Sequence, residues 1–141
     1  MKLLKLESNI KLKCIPGRME TYENFTLDTA HNPQAIKYLF SRSVNYEYIV
    51  LGIMKDKNIE EIVDGLPEGS EILACNLNTE RSISSKELKQ ICDKKGRKCK
   101  AFDSVKDAVI YCNNKDTLIV GSFYTVSEAR EYLNMDGYSE L

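Results

Sequence analysis

The chain has no long apolar run, no excess of charge and no Cys-x-x-Cys pair. Its longest apolar stretch, around Tyr48 to Met54, falls far short of the roughly 20 residues a bilayer-spanning helix needs, so no transmembrane segment is expected. With 20 Lys plus Arg against 21 Asp plus Glu, the formal net charge is −1. That balance gives no bulk electrostatic pull toward nucleic acid or an anionic membrane. Five cysteines, Cys14, Cys75, Cys92, Cys99 and Cys112, are an odd number without metal-ligand spacing, which argues against both a disulfide framework and a thiolate zinc site. A reduced, cytoplasmic compartment fits. Cys75 lies in an apolar run, and Cys92 and Cys112 fall on apolar helix faces, where a thiol acts as a small hydrophobe. Met1 to Lys13 alternate Lys with Leu and show neither an extended apolar region nor a small-residue cleavage site, so no signal peptide is expected.

What is present is a single α/β pattern. A chain of 141 residues is one ordinary domain with little room for a second core. From Phe25 onward, short β-rich runs alternate with amphipathic helical patterns, the order of a largely parallel sheet. Strands are predicted near Phe25 to Ala30, Tyr46 to Ile53, Glu71 to Leu77, Lys98 to Phe102 and Thr117 to Phe123, each followed by a helix. Arg18 to Tyr22 reads as a strand hairpinned to the first of these through a turn at Glu23 and Asn24. Ile59, Ile62, Val63 and Leu66 form an i, i+3, i+4, i+7 stripe ended by Pro67 and Gly69. Ser84 to Glu87 is a capping box opening a helix that Gly96 closes, and Thr125 with Glu128 supplies the same signal for the last helix. Val105, Ala108, Val109 and Cys112 give another apolar stripe. Asp136 to Leu141 reads as a frayed tail.

In a parallel sheet the ligand crevice lies beyond the carboxyl ends of the strands, so polar residues just after each strand are the candidates. Asp28-Thr29-Ala30-His31-Asn32-Pro33 places an acid at a strand end, then the chain's single His, then Asn32 and Pro33 as a helix start. Gly52 to Lys57 offers lysines that could hold a carboxylate or phosphate, or is a solvated loop with Asp56 capping the next helix. In Gly121-Ser122-Phe123 a glycine permits close backbone approach and a hydroxyl stands near a helix N-terminus; a tight turn explains the same residues. Asn76 to Arg81 is polar and carries a guanidinium that could meet an anion, or is simply solvated.

Pro16-Gly17-Arg18-Met19-Glu20, Leu27-Asp28-Thr29-Ala30-His31-Asn32-Pro33, Gly52-Ile53-Met54-Lys55-Asp56-Lys57 and Gly121-Ser122-Phe123 follow one another at fitting spacings. Together they resemble the C-terminal, glutamate-ligase domain of folylpolyglutamate synthases and dihydrofolate synthases, members of the Mur ligase superfamily. The resemblance covers nearly the whole chain, and Asp-x-x-His-Asn-Pro is its most diagnostic piece. It implies a Rossmann-like three-layer sandwich with a mainly parallel sheet, an antiparallel N-terminal strand and helices on both faces. It further implies an ATP-dependent, ADP-forming amide ligase of folate biosynthesis and one-carbon metabolism. In that chemistry a substrate carboxylate takes the γ-phosphoryl group, and the amino group of L-glutamate attacks the acyl phosphate. By match to the family motif, Arg18 reaches the nucleotide phosphates, Asp28 the nucleoside end, and His31 with Asn32 the junction between nucleotide and glutamate. Arg18 and His31 stand as the catalytic pair. Lys55 and Ser122 match positions near the incoming amino acid, with Lys57 as the alternative lysine. Thr29 stands where the family frequently has glycine.

No G-x-x-x-x-G-K-[ST] phosphate loop occurs in the sequence. The family carries that loop, its magnesium ligands and most of the folate pocket in a preceding central ATPase domain. On this reading residues 1–141 are one glutamate-ligase domain whose partner is that ATPase domain. ATP and Mg are then held mainly outside the chain, which is expected to contain no metal site, to be inactive alone and to be a monomer. The rival readings are a Mur-type domain adding another amino acid, and a non-catalytic binding remnant of the fold.

Overall fold

The structure is a computed structural model that describes residues 18–41 and 45–134. Pro16, Gly17, Cys14, the Met1 to Lys13 segment and the tail from Asp136 lie outside the described residues. Among the described residues eleven elements follow one another: β1 Glu20–Tyr22, β2 Phe25–Leu27, α1 Pro33–Phe40, β3 Tyr48–Leu51, α2 Ile59–Asp64, β4 Glu71–Cys75, α3 Ser85–Lys94, β5 Cys99–Phe102, α4 Val105–Cys112, β6 Thr117–Val120 and α5 Phe123–Tyr132. One six-stranded sheet runs in the order β1-β2-β6-β3-β4-β5. β1 is antiparallel to β2 and every other pairing is parallel. The mainly parallel sheet with an antiparallel N-terminal strand is therefore observed.

The sheet is buried on both faces, which is why its strands read as continuous apolar runs rather than as alternating ones. Ile49 and Leu51 of β3, Ile72 of β4 and Leu118 of β6 enter a cluster with Ile36 and Leu39 of α1, Ile62 of α2 and Leu88 of α3. Val50, Leu73 and Ile119, one position away along the same strands, enter a second cluster with Val109 of α4 and Val126 of α5. The period of two along each strand thus assigns α1, α2 and α3 to one face and α4 and α5 to the other. This is the expected three-layer sandwich. Cys75, Cys92, Cys99 and Cys112 are all free and buried within it.

Each helix among the described residues begins with a short polar side chain accepting a backbone N–H of its first turn. Asn32 Oδ1 accepts from Ala35 at 2.8 Å, Ser84 Oγ from Glu87 at 3.1 Å and Ser104 Oγ from Asp107 at 3.1 Å, satisfying donors that have no partner inside the helix. Two expectations are corrected here. α2 is capped by Asn58 rather than Asp56, because the chain turns once more, with Lys57 N–H bonding Met54 O, before the helix begins. α5 is capped by Ser122 rather than Thr125, because β6 stops at Val120 and the helix starts three residues earlier than a Thr125 cap would allow. Thr125 is instead the residue whose N–H the cap accepts.

Two arginines, Arg97 half-buried and Arg130 buried, fix the outer elements. Arg97 donates to Val63 O at 2.7 Å and to Leu66 O, covering the exposed carbonyls at the end of α2, where a cation also complements the helix dipole. Arg130 of α5, only 2% exposed, pairs with Glu20 of β1 and ties the edge hairpin to the helix layer. No helix among the described residues is long and apolar enough to cross a membrane.

Candidate functional site

Because β2, β6 and β3 are parallel neighbours, their carboxyl ends stand side by side. β2 leads into α1 on one face and β6 leads into α5 on the other. Chains leaving adjacent strands in opposite directions open a crevice between them. A cleft of about 470 Å³ lies there, lined by Arg18, Met19, Asp28, His31, Tyr38 and Phe123 among others. A second cleft of about 550 Å³, around Tyr46, Glu71, Lys98 and Asp116, sits at the amino ends of the strands, away from every motif residue.

Asp28 organises the first cleft. Its Oδ1 accepts the N–H of Ala30 at 2.8 Å and its Oδ2 accepts the N–H of Met19 at 3.1 Å. One carboxylate thus bends the chain after β2 and holds the turn that carries Arg18, in which Met19 has a left-handed φ of 50°. Asp28 N–H still bonds Ile119 O, but the Ala30 bond takes the next residues out of the strand. This is why β2 ends at Leu27 and not at Ala30. Each carboxylate oxygen retains a second lone pair for a ligand donor.

His31 is half-buried and its Nδ1 lies 3.0 Å from Thr29 O. A carbonyl can only accept, so Nδ1 carries the proton and Nε2 is the basic nitrogen of the neutral ring. The ring also faces Phe123, the first residue of α5, with centroids 6.4 Å apart. Asn32 is engaged as the cap of α1, and Pro33 follows at a helix position that needs no N–H. Arg18 is exposed at the cleft mouth.

Ser122 adjoins the cleft through Phe123, but its hydroxyl points into the protein. The residue is 4% exposed. Its Oγ accepts Thr125 N–H at 3.1 Å and is 2.8 Å from Thr125 Oγ1, which itself donates to Gly52 O at 2.8 Å. The glycine before it has φ 125°, and a Cβ there would lie 2.1 Å from Gly52 O. The close approach that Gly121 permits is therefore made by the backbone of the β3 turn and not by an open cleft.

Lys55 and Lys57 follow β3 at the same end of the sheet but do not line the cleft. Met54 forms an antiparallel bridge with Ser82. Lys55 N–H bonds Arg81 O at 2.7 Å and Ile83 N–H bonds Ile53 O at 2.9 Å. The polar segment after β4 is thereby paired to the segment after β3, and Asn76 Oδ1 accepts Ser85 N–H at 2.8 Å to close it. The residues that local sequence signals missed are Glu20 and Arg130, whose pairing spans 110 positions. Among the described residues, no group of three or more His, Cys, Asp or Glu side chains could hold a metal ion.

Comparison with known proteins gives the site its context. The family model described as "Mur ligase, glutamate ligase domain" matches residues 17–122, which include Arg18, Asp28, His31, Asn32, Lys55, Lys57 and Ser122. A dihydrofolate synthase/folylpolyglutamate synthase of Buchnera aphidicola subsp. Baizongia pistaciae is 34% identical over 92% of this chain and 34% of its own length. The folylpolyglutamate synthase of Thermotoga maritima superposes with a TM-score of 0.78 at 22% identity, over 96% of this chain and 34% of its own. A bifunctional folylpolyglutamate synthase/dihydrofolate synthase solved with Mn, AMPPNP and L-glutamate bound superposes with a TM-score of 0.74 at 26% identity, over 86% of this chain and 32% of its own. The chain spans about a third of the length of these relatives. With the family model covering most of the sequence and solved folylpolyglutamate synthases sharing the fold, the chain belongs to the Mur ligase family, as a glutamate ligase domain similar to those of folylpolyglutamate synthase/dihydrofolate synthases.

Proposed function

We propose that this chain is the glutamate-adding part of an ATP-dependent, ADP-forming ligase that joins L-glutamate to a folate or dihydropteroate carboxylate, acting against a central ATPase domain. The observation that carries the reading is the crevice between β2 and β6, where the Asp28 carboxylate holds the Arg18 turn and His31 presents Nε2. A relative bearing the same domain was solved with a nucleotide analogue and L-glutamate.

In this reading Arg18 meets the phosphates. A guanidinium stabilises negative charge spread over transferring phosphoryl oxygens and does so most in the transition state. Asp28 accepts from the nucleoside end through the lone pairs its backbone contacts leave. His31 and Asn32 stand between nucleotide and amino acid, with Nε2 able to accept a proton or hydrogen bond from the attacking amine. Lys55 or Lys57 supplies a cation for a glutamate carboxylate. The glutamate contact expected of Ser122 falls to the turn it holds, since its hydroxyl is enclosed. The substrate carboxylate is activated as an acyl phosphate, which the amine attacks. ATP and Mg would be held mainly by the ATPase domain, which would carry the phosphate loop that this sequence lacks.

The test is ligation by this chain fused to the ATPase portion of the Buchnera relative. ADP release should require folate substrate and L-glutamate together. Arg18→Ala should lower kcat with little change in the glutamate KM, because it removes an interaction made chiefly in the transition state. The chain alone should turn over no ATP, since alignment against the other domain supplies the proximity the reaction needs. Robust ATP hydrolysis by the isolated chain, or ligation of a different amino acid in preference to glutamate, would overturn this function.

A further inference from the structure

β1 has little apolar burial of its own. It is three residues long, stands at the edge of the sheet and exposes both Thr21 and Tyr22, and an edge hairpin of that size is marginal by its backbone bonds alone. Yet only Met19 separates β1 from Arg18, the residue proposed to meet the phosphates. Where Arg18 stands is therefore set by what holds β1.

Two attachments do so. Met19 N–H bonds Asp28 Oδ2 at 3.1 Å, and Glu20 supplies the second. Glu20 lies directly opposite Leu27, so both side chains leave the hairpin on the same side. Leu27 belongs to the cluster that holds Val126 and Ala129 of α5, and on that face the Glu20 carboxylate meets Arg130. Arg130 falls on the stripe of Thr125, Val126, Ala129 and Arg130 that α5 buries. The same helix opens with Phe123 on the cleft wall. α5 thus carries one wall of the cleft at its first residue and, about two turns later, grips the strand beside Arg18.

A buried ion pair is a costly way to make a purely structural tie. Taking a guanidinium and a carboxylate out of water costs about as much as their attraction returns, and apolar side chains of similar volume hold two elements together as well or better. What the charges add is geometry, because a charge-assisted hydrogen bond is directional and apolar contact is not. We propose that Arg130, acting through Glu20, is a positioning residue that sets the place of Arg18 at the cleft mouth. The inference rests on the phosphate-facing role of Arg18 in the proposed function and adds the buried pair on which that role depends. A shift of the hairpin by about 1 Å is enough, since misplacement of that size can lower a rate by about a hundredfold.

The experiment is kinetics and urea unfolding of the fused enzyme carrying Glu20→Gln and Arg130→Met together, which removes both charges and leaves side chains of similar length. The unfolding midpoint should stay near that of the parent, because no unpaired charge is left buried. By contrast kcat should fall about tenfold or more, with the glutamate KM within about twofold of the parent. A tie that is only structural would keep midpoint and kcat together. In an Arg18→Ala background the same pair of substitutions should lower kcat no further, because the residue it positions is gone. Glu20→Gln alone keeps an acceptor for Arg130 and guards against a double variant that does not fold. It should lower kcat about threefold and speed amide exchange at Met19 in the full chain. Parent kcat in either folded variant, an equal loss with and without Arg18, or a loss confined to the glutamate KM overturns the positioning role. Reduced kcat in Arg18→Ala with parent kcat in the double variant leaves the ligase function standing and removes the positioning. Undiminished kcat in Arg18→Ala instead removes the role proposed for Arg18 itself, even where exchange at Met19 shows that the pair holds the turn.

Discussion

Ser122 and Asn32 each cap a helix that follows a parallel strand, and the two strands are neighbours. Around Ser122 the polar atoms are satisfied by one another: its hydroxyl, Thr125 and the Gly52 carbonyl form one closed chain of hydrogen bonds beneath the surface. Around Asn32 the cap is also made, but His31 beside it is only half-buried and Asp28 contacts two backbone amides from a cleft wall. One corner seals the sheet and the other opens it. A hydroxyl or a carboxylate at a strand end is therefore not evidence of a ligand contact until its hydrogen bonds have been counted.

The largest effect expected from this contrast belongs to the sealed corner. Gly121→Ala combines a left-handed backbone with a Cβ 2.1 Å from Gly52 O. Neither backbone can yield without opening the β3–β6 contact, so a loss of about 3 kcal/mol or more is expected in urea unfolding. Gly52→Ala should cost less, about 1 to 3 kcal/mol, because its nearest neighbour would be the Leu77 side chain at 2.6 Å, which can move. Equal costs for the two would mean that the corner is softer than its hydrogen bonds indicate.

Asp28→Ala comes next, and it breaks the open corner. It strands the Met19 and Ala30 amides that the carboxylate accepts from. Two backbone donors losing partners at the edge of water should cost about 2 kcal/mol. The same variant should free the Arg18 turn, seen as faster amide exchange at Met19, without disturbing α5. A stability loss confined to α5 would count against this division between the corners.

The α4 and α5 face that the sealed corner closes also buries two thiols. Burial pushes Cys75 and Cys112 above the ordinary thiol value of 9.0, since a thiolate would lose its hydration there. In the unfolded chain these thiols ionise near the ordinary value while the folded chain keeps them protonated. The folded state thus binds more protons above that pH, and stability should be flat through neutrality and fall from about pH 9 upward. The slope is about 1.4 kcal/mol per pH unit for each thiol held neutral. Denaturant midpoints between pH 7 and pH 10.5 check this, with Cys75→Ala expected to show a shallower alkaline decline than the parent chain.

Element identity was largely legible because it rests on local periodicity. Val105, Ala108, Val109 and Cys112 are all buried, as are Ile62, Val63 and Leu66 of the earlier stripe, with Ile59 half-buried at its start, and Gly96 closes α3 with φ 70°. Strand ends were less legible, because side chains set them rather than propensity. Asp28 diverts β2, and Gly121 stops β6 so that Phe123 opens a helix instead of ending a strand. Thr125 and Ser122 are both plausible caps three residues apart, and only the end of β6 decides between them. Least legible were contacts between distant segments. The insertion of β6 between β2 and β3, the Glu20–Arg130 pair and the Lys55–Arg81 register depend on which segments meet in space, and nothing in any local window encodes that. For the same reason the sequence could present Ser122 and Lys55 as equivalent candidates, although one is enclosed and the other exposed.

Ser122→Ala should separate those two directly. The substitution removes a cap worth about 1 kcal/mol and leaves Thr125 Oγ1 with its bond to Gly52 O. It should lower the unfolding midpoint while leaving the glutamate KM of the fused enzyme in place. Lys55→Ala should do the opposite, raising the glutamate KM of the fused enzyme with stability unchanged within about 0.5 kcal/mol. If Lys57→Ala raises it instead, the cation that meets glutamate lies two residues further on.

His31→Ala should have a small effect on stability and the sharpest effect on function. The ring is half-buried and makes one hydrogen bond, to Thr29 O, so its removal should cost about 1 kcal/mol or less. No helix cap, strand or core cluster depends on it, because Asn32 and not His31 caps α1. Yet its Nε2 is the basic nitrogen at the cleft between the β2 and β6 corners. If the open corner is where nucleotide and amine meet, the variant should bind AMPPNP more weakly and lower kcat in the fused enzyme. His31→Gln retains a hydrogen-bonding group but no titratable nitrogen. It should recover binding more than turnover if the imidazole handles a proton, and both together if the ring serves only as a contact. A His31→Ala chain with unchanged nucleotide binding and unchanged turnover would show that the open corner is open for some other purpose.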